Sequence, residues 1–302
     1  MADSWAIEAS TIVAGEELGR GSFGVVRSAT WRHTPVAIKI LYLDAQAEDQ
    51  ELFEKEVATM STLHHPNIVQ FLGYTRTPGL TLVIELFAEG SLEAYVNRHR
   101  LPPKLALRFC IDMALAIEYL HSRRPSIVIH RDVKPANFLL TRSLRVKLGD
   151  FGIARTRAGD ARLAVPPLNR VPSLIRTRSS EEMTANCGTV RFMAPEVASS
   201  NKDKSTYSTK ADIFSLALVF YFVWERLLPT IPKHTTPAAH VDAMLRGLRP
   251  AFHKTPKPLR TIVDFMWHPR ASSRLSAPEV LDHLTAIDEK DLRAPYFGFS
   301  SP

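Results

Sequence analysis

The stretch His130-Arg131-Asp132-Val133-Lys134-Pro135-Ala136-Asn137, followed after a short hydrophobic interval by Asp150-Phe151-Gly152, constrains this chain more than any other feature. An Asp and an Asn five residues apart, with another Asp beyond a hydrophobic hairpin, set three oxygen-bearing side chains around one spot. A hard divalent cation needs oxygen ligands of this kind, and a hydroxyl aimed at a phosphate needs a carboxylate to orient it. Either half alone is a weak signal. Their order and separation make the pair specific.

The N-terminal stretch reads as strands. Ile12 to Leu18, Val25 to Trp31 and Val36 to Leu41 are rich in β-branched and aromatic residues, with turn signals between them. The first turn is Gly19-Arg20-Gly21-Ser22-Phe23-Gly24. A G-x-G-x-x-G run also suits dinucleotide-binding proteins, but there it opens a helix. Here Val25-Val26-Arg27-Ser28 follows, a poor helix start and a good strand. The run is therefore a hairpin tip, folded over phosphates and offering backbone N–H groups. Val36-Ala37-Ile38-Lys39 then places a charge among apolar neighbours. A lone edge-strand lysine usually snorkels to water. The helical pattern over Glu48 to Leu63 changes that expectation, because Phe53, Val57 and Met60 form one stripe and Glu56 falls on its edge. An inward carboxylate needs a cation, and Lys39 is the natural partner.

Farther along, Leu82 to Phe87 reads as a buried strand running into the flexible link Ala88-Glu89-Gly90-Ser91. Pro102 to His121 is an amphipathic helix with Leu105, Phe109, Ile117 and Leu120 inward, and its prolines suit a helix start. Ser276-Ala277-Pro278-Glu279 is a capping box for the last helix. The adjacent pair His64-His65 has no further ligands at usable spacing and reads as a connection.

With 302 residues, 45% hydrophobic and 23% charged, the chain can bury a sizeable core and is not globally disordered. The net charge of +7 is modest and lacks an aromatic-plus-basic reading surface, so no nucleic acid is expected. Cys110 and Cys187 lie far apart and fit neither a disulfide scaffold nor a zinc site, which suits a reducing compartment. No signal segment is apparent, and Ala2 stands where N-myristoylation needs glycine. The apolar run Ile213 to Trp224 falls short of the about 20 residues of a membrane span. A cytoplasmic protein without a membrane anchor is expected. Oligomeric state is not legible.

Over residues 10–288 or so, these motifs resemble the eukaryotic protein kinases, whose catalytic loop reads H-R-D-x-x-x-x-N and whose metal-binding turn reads D-F-G. Glu56-Val57 through Gly73, Gly247-Leu248-Arg249-Pro250 and Ile262 through Pro269 before Arg274 look like the tyrosine-kinase-like branch of the Ser/Thr kinases. The resemblance implies a single α+β domain with the bilobal kinase fold. A small, mainly antiparallel β lobe with one key helix would span about 10–86, a hinge about 85–90, and a larger, mainly α-helical lobe about 91–288. Residues 289–302 would be a short tail.

The resemblance also assigns roles. ATP would lie under Gly19, Arg20, Gly21, Ser22, Phe23 and Gly24, with Lys39, held by Glu56, on its α- and β-phosphates. Leu18, Val26, Ala37 and Leu139 would sandwich the adenine, Ile84 would be the gatekeeper, and the backbone of Glu85 and Phe87 would bond the adenine edge. Asp132 would steer the acceptor proton, and Asn137 and Asp150 would hold Mg2+, with Mn2+ as the alternative. Lys134 would approach the γ-phosphate and Thr189 would contact it and Asp132, both marking serine or threonine in a protein substrate. Glu196 would pair with Arg274, and Asp212 would cap the catalytic-loop backbone. The rival reading is a pseudokinase scaffold that binds nucleotide or protein without turnover, and loss of Lys39, Asp132, Asn137 or Asp150 would favour it. All four are present.

The departures from the family pattern are Val133, Phe192, Phe214, Ala217 and Leu275, which bear on packing rather than on phosphate, metal or proton handling. Asp150 to Glu196 is long for a connection, since loops beyond ~12–15 residues are uncommon. Its basic insert, 156–186, carries Arg157, Arg162, Arg170, Arg176 and Arg178 with Pro166, Pro167 and Pro172, and reads as a solvated segment without structure of its own. Ser173, Thr177, Ser179, Ser180 and Thr184 are acceptors there. A phosphate adds about −1.5 to −2 charge and would draw Arg131 and neighbouring arginines together, so activation by phosphorylation is expected.

Overall fold

The computed structural model describes residues 2–21, 24–41, 47–152, 154–158, 190–199, 208–231 and 236–292. The chain divides into two compact units, Met1–Leu92 with Asn137–Ala154, and Glu93–Ala136 with Arg155–Pro302.

The first unit is built on five antiparallel strands: β1 (Ile12–Gly21), β2 (Gly24–Trp31), β3 (Thr34–Leu41), β4 (Phe71–Thr75) and β5 (Thr81–Glu85). Their order is β1-β2-β3-β5-β4. The glycine run forms the expected hairpin, with Gly21 opposite Gly24. Gly24 admits no side chain, because a Cβ there would lie 2.1 Å from the carbonyl oxygen of Ile40 on β3. Helix α1 (Ala47–Met60) stops short of the sequence expectation of Leu63. Pro66 disfavours helical backbone at His65, and the His65 ring instead accepts the Asn67 N–H at 3.1 Å. The buried Asn67 amide then donates to the Val146 carbonyl at 2.9 Å. That bond fastens the hairpin of β7 (Phe138–Leu140) and β8 (Val146–Leu148) to this unit.

The second unit holds α2 (Leu92–Arg98, from Glu93 on), α3 (Pro103–Ser122), α4 (Pro195–Ser199), α5 (Thr209–Glu225), α6 (Pro237–Leu245), α7 (Lys257–Met266) and α8 (Ala277–Thr285). The apolar run predicted as a buried helix is α5, buried at every position from Ala211 to Glu225. A helix apolar on all sides can only be a core helix. Helix α3 packs against α5 and α8, and Ser276 with Glu279 makes the expected capping box on α8. The α+β composition expected from the sequence holds. Among the described residues, no helix is long and apolar enough to cross a membrane.

Strand β6 (Ser126–Ile129) pairs with β9 (Arg155–Ala158). The sequence reading gave 156–158 to an unstructured insert. The edge of β6 supplies the reason, because its backbone groups require partners and the following chain provides them. The remainder of the insert, from 159, lies outside the described residues.

The C-terminal residue of α5, Glu225, is fully buried. Its carboxylate accepts the backbone N–H groups of His253, Lys254 and Thr255 at 3.0, 3.0 and 2.9 Å. Removing it strands several buried donors, each costing about 1–3 kcal/mol. Glu225→Ala is expected to destabilise the protein by roughly 3 kcal/mol or more, read as a lower thermal midpoint. An unchanged midpoint would contradict this account.

Candidate active site

In the first unit, α1 presents Phe53, Val57 and Met60 to the core, each 3% exposed. The same stripe turns Glu56 inward, with its side chain 6% exposed. Lys39 reaches it from β3, with Nζ 3.0 and 3.1 Å from the two carboxylate oxygens. A third contact joins them, Lys39 Nζ to Asp150 Oδ1 at 2.9 Å. Burial disfavours the Lys39 ammonium, but Asp150 and Glu56 outweigh it and raise its pKa well above the ordinary lysine value. Burial lifts the Glu56 carboxyl above its usual value; Lys39 pulls it back and Asp150 pushes it up again. The result is a fixed ammonium, suited to phosphate oxygens.

Asp150 sits at φ 60°, a left-handed conformation that aspartate tolerates better than most residues. Phe151 beside it is 1% exposed and anchors the turn. Asn137 and Asp150 flank the β7–β8 hairpin, and the Gly149 N–H closes its base on the Asn137 carbonyl at 2.9 Å. The Asp150 side chain stays 47% exposed. Among the described residues, no group of three His, Cys, Asp or Glu is arranged to hold a metal. One carboxylate and one amide fit a divalent ion that takes its remaining oxygens from phosphates and water, as magnesium does.

Leu18, Gly19, Arg20 and Gly21 end β1, and Val26 and Ala37 lie on β2 and β3. Leu18 is 54% exposed. Arg20 pairs with Glu17 at 2.7 Å on the surface. Ile84 on β5 is registered with Ala37 and Phe71, Leu139 lies on β7, and the Phe87 carbonyl accepts the Gly90 N–H at 3.3 Å in the link. Ser22 and Phe23 lie outside the described residues. Glu85 carries an interaction that the sequence reading missed. Its carboxylate takes Lys147 Nζ at 2.7 and 2.9 Å and the Gln70 N–H at 2.7 Å. The available signal was strand alternation: Val146 and Leu148 are buried, so Lys147 between them faces the other way.

In the second unit, the loop after β6 carries Asp132 and Lys134, with Lys134 Nζ 2.8 Å from Asp132 Oδ2. The loop is held from beneath by Asp212, in the first turn of α5 and 1% exposed. Its carboxylate accepts the backbone N–H groups of His130 and Arg131, both at 2.9 Å. His121, in the last turn of α3, meets the same carboxylate at 2.8 Å. The capping role expected of Asp212 is present; the part played by His121 was not foreseen. Burial alone would raise the Asp212 carboxyl. The His121 contact and the other bonds overcome that and hold it below the ordinary value. His130 is fully buried, and its Nδ1 lies 3.3 Å from the Asp132 backbone nitrogen.

Glu196 and Arg274 form the expected ion pair, with contacts of 2.6 and 2.9 Å. Thr189, expected against Asp132 and Lys134, and the acceptors Ser173, Thr177, Ser179, Ser180 and Thr184 lie outside the described residues.

The protein kinase domain family matches residues 12–285. Serine/threonine-protein kinase VIK of Arabidopsis thaliana is 35% identical over 90% of this chain and 59% of its own length. STY46 of the same plant is 33% identical over 94% of this chain and 46% of its length. A probable serine/threonine-protein kinase of Dictyostelium discoideum, drkD, is 32% identical over 92% of this chain and 20% of its length. The chain thus spans about half the length of the first two relatives. All three relatives are named as serine/threonine-protein kinases, drkD as a probable one. On the family match over residues 12–285, this chain belongs to the protein kinase domain family.

Proposed function

We propose that this chain is a protein serine/threonine kinase, transferring the γ-phosphate of ATP to hydroxyls of protein substrates. The observation that carries the reading is the Lys39 ammonium held by Glu56 and Asp150. A partly exposed lysine held in place by two carboxylates is suited to a pair of phosphates. In this reading the glycine hairpin offers backbone N–H groups to phosphate oxygens, and Leu18, Val26, Ala37 and Leu139 cover the adenine. Ile84 borders the adenine, while Glu85 and Phe87 bond its edge. Lys39 fixes the α- and β-phosphates.

Asp132 accepts or steers the hydroxyl proton. Lys134, already 2.8 Å from that carboxylate, carries positive charge for the transferring phosphoryl group. Asn137 and Asp150 would hold Mg2+, with Mn2+ as the alternative, and the ion when bound neutralises phosphate charge. Lys134 supports Ser/Thr over Tyr, in keeping with the names of the relatives; Thr189 would join it. Phosphorylation between 156 and 189 would regulate the enzyme, and a cytoplasmic signalling role follows from the same reading.

The decisive assay uses labelled ATP, a divalent cation and a generic basic protein. Asp132→Asn is expected to lower kcat by about 10²- to 10⁴-fold, the usual worth of a positioned general base, with KM for ATP nearly unchanged. Wild-type activity no higher than that variant would favour a non-catalytic scaffold. Lys39→Met leaves two carboxylates without their cation and is expected to raise KM for ATP and lower kcat, roughly tenfold or more in kcat/KM. Chelation with EDTA should abolish transfer and added Mg2+ should restore it. Asn137→Ala is expected to raise the half-saturating Mg2+ concentration about tenfold. Full activity in EDTA would refute the metal assignment.

A further inference from the structure

Residues ahead of the matched family domain, which begins at residue 12, dock on the edge of the sheet. β4 is an edge strand in the order β1-β2-β3-β5-β4. Ala6 bridges Tyr74 in parallel, and the Ile7 N–H donates to the Tyr74 carbonyl at 2.7 Å. The Trp5 ring lies 5.4 Å from Phe71 on β4 and stacks 6.4 Å from His64, in the connection that leaves α1.

Gly73 makes the approach feasible. Its φ of 152° is one that side chains rarely adopt, and a Cβ there would sit 2.6 Å from the Trp5 carbonyl oxygen and 2.5 Å from Ile7 Cδ1. The segment thus occupies space that any other residue at position 73 would fill.

From this edge the contacts lead to the catalytic lysine by two routes. Tyr74 on β4 packs edge-on against Phe53 of α1 at 6.3 Å, and Glu56 is one turn farther along that helix. Ile7 packs on the small core of Ala29, Val36, Ile38 and Val83, and Ile38 directly precedes Lys39 on β3. The same short segment thus reaches the helix that carries Glu56 through β4, and packs on the strand that carries Lys39.

We propose that Trp5–Ile7 is a brace that positions Glu56 against Lys39, which makes Trp5 and Ile7 positioning residues for phosphoryl transfer. The inference rests on the kinase reading above and adds a control point outside the matched domain. Its energetic logic is that the ion pair needs both partners fixed. Helix α1 packs on β4, and it gains fixity when the open edge of β4 is covered.

The test is a double-mutant cycle on the full chain, reading kcat/KM at limiting ATP and the affinity of a fluorescent ATP analogue. Trp5→Ala should lower both by about fivefold or more, the lower range of couplings between separate sites, while Trp5→Phe should retain most of each. In a Glu56→Gln background, Trp5→Ala should cost less than about twofold, because the contact through which it acts is already weakened. Gly73→Ala, which displaces the segment without altering Trp5, should reproduce the loss. Wild-type values for Trp5→Ala, or an equal loss with and without Glu56, would overturn the proposal. Should Trp5→Ala fail to fold, Trp5→Leu enters the same cycle. Were the wild type to transfer no phosphate above Asp132→Asn, the kinase reading would fall, and the nucleotide affinities would still decide the brace.

Discussion

The carboxylate of Asp212 is the contact on which the loop bearing Asp132 depends. Arg131 is held at φ 72°, a conformation that costs a residue with a side chain on the order of 1–3 kcal/mol. The loop tolerates this because the N–H of Arg131 and that of His130 before it both donate to one buried carboxylate. His121 completes the acceptor from a different helix. Asp212 stands in the first turn of α5, a helix buried from Ala211 to Glu225, so the loop is referenced to the core. Asp132, immediately after the strained residue, takes its direction from that anchor. A buried carboxylate is costly by itself. Three hydrogen-bonding partners convert the cost into a fixed backbone.

The Lys39 cluster in the first unit solves a different problem with the same chemistry. Here a partly buried cation is met by two carboxylates. The two acids are not equivalent. Glu56 is nearly inaccessible, whereas Asp150 is about half-exposed. Glu56 therefore sets the position of the ammonium, and Asp150 keeps an accessible carboxylate for other duty. Motif spacing alone does not separate these roles; burial does.

Periodic features were legible in the sequence. Strand alternation and glycine placement gave the β1–β2 hairpin, the 3.6-residue stripe on α1 turned Glu56 inward, and the uniform apolarity of Ile213 to Trp224 marked a core helix. Motif spacing gave Asp132, Asn137 and Asp150. Several polar contacts between distant segments were not legible, and the Glu196–Arg274 pair and the Asp212 cap were expected from the family resemblance alone. Glu225 reaches three amides near residue 254, Lys147 meets Glu85, and His121 meets Asp212. Each joins elements far apart in sequence, and no local period records such a meeting. The β6–β9 pairing escaped for a related reason. Arginine content argued for solvation, while the unpaired backbone of β6 governed the outcome.

Phe214 shows why departures from a family pattern at packing positions need not disturb the chemistry. It stands where tryptophan is frequent, and the smaller ring is enclosed by cations. The Arg274 guanidinium lies 4.7 Å from the ring centroid and that of Arg249 lies 5.1 Å away. Two like charges so close should repel. Burial, and then Arg274, lower the Arg249 pKa to about 10, which still leaves it charged at neutral pH. Three features offset the repulsion. Glu196 neutralises Arg274 through two oxygens, the aromatic face attracts both guanidinium groups, and carbonyls of Trp267 and Met244 accept from Arg249. The Glu196–Arg274 pair is thus held by the ring beneath it as well as by its own charges. A substitution confined to the ring's size leaves that electrostatic arrangement in place.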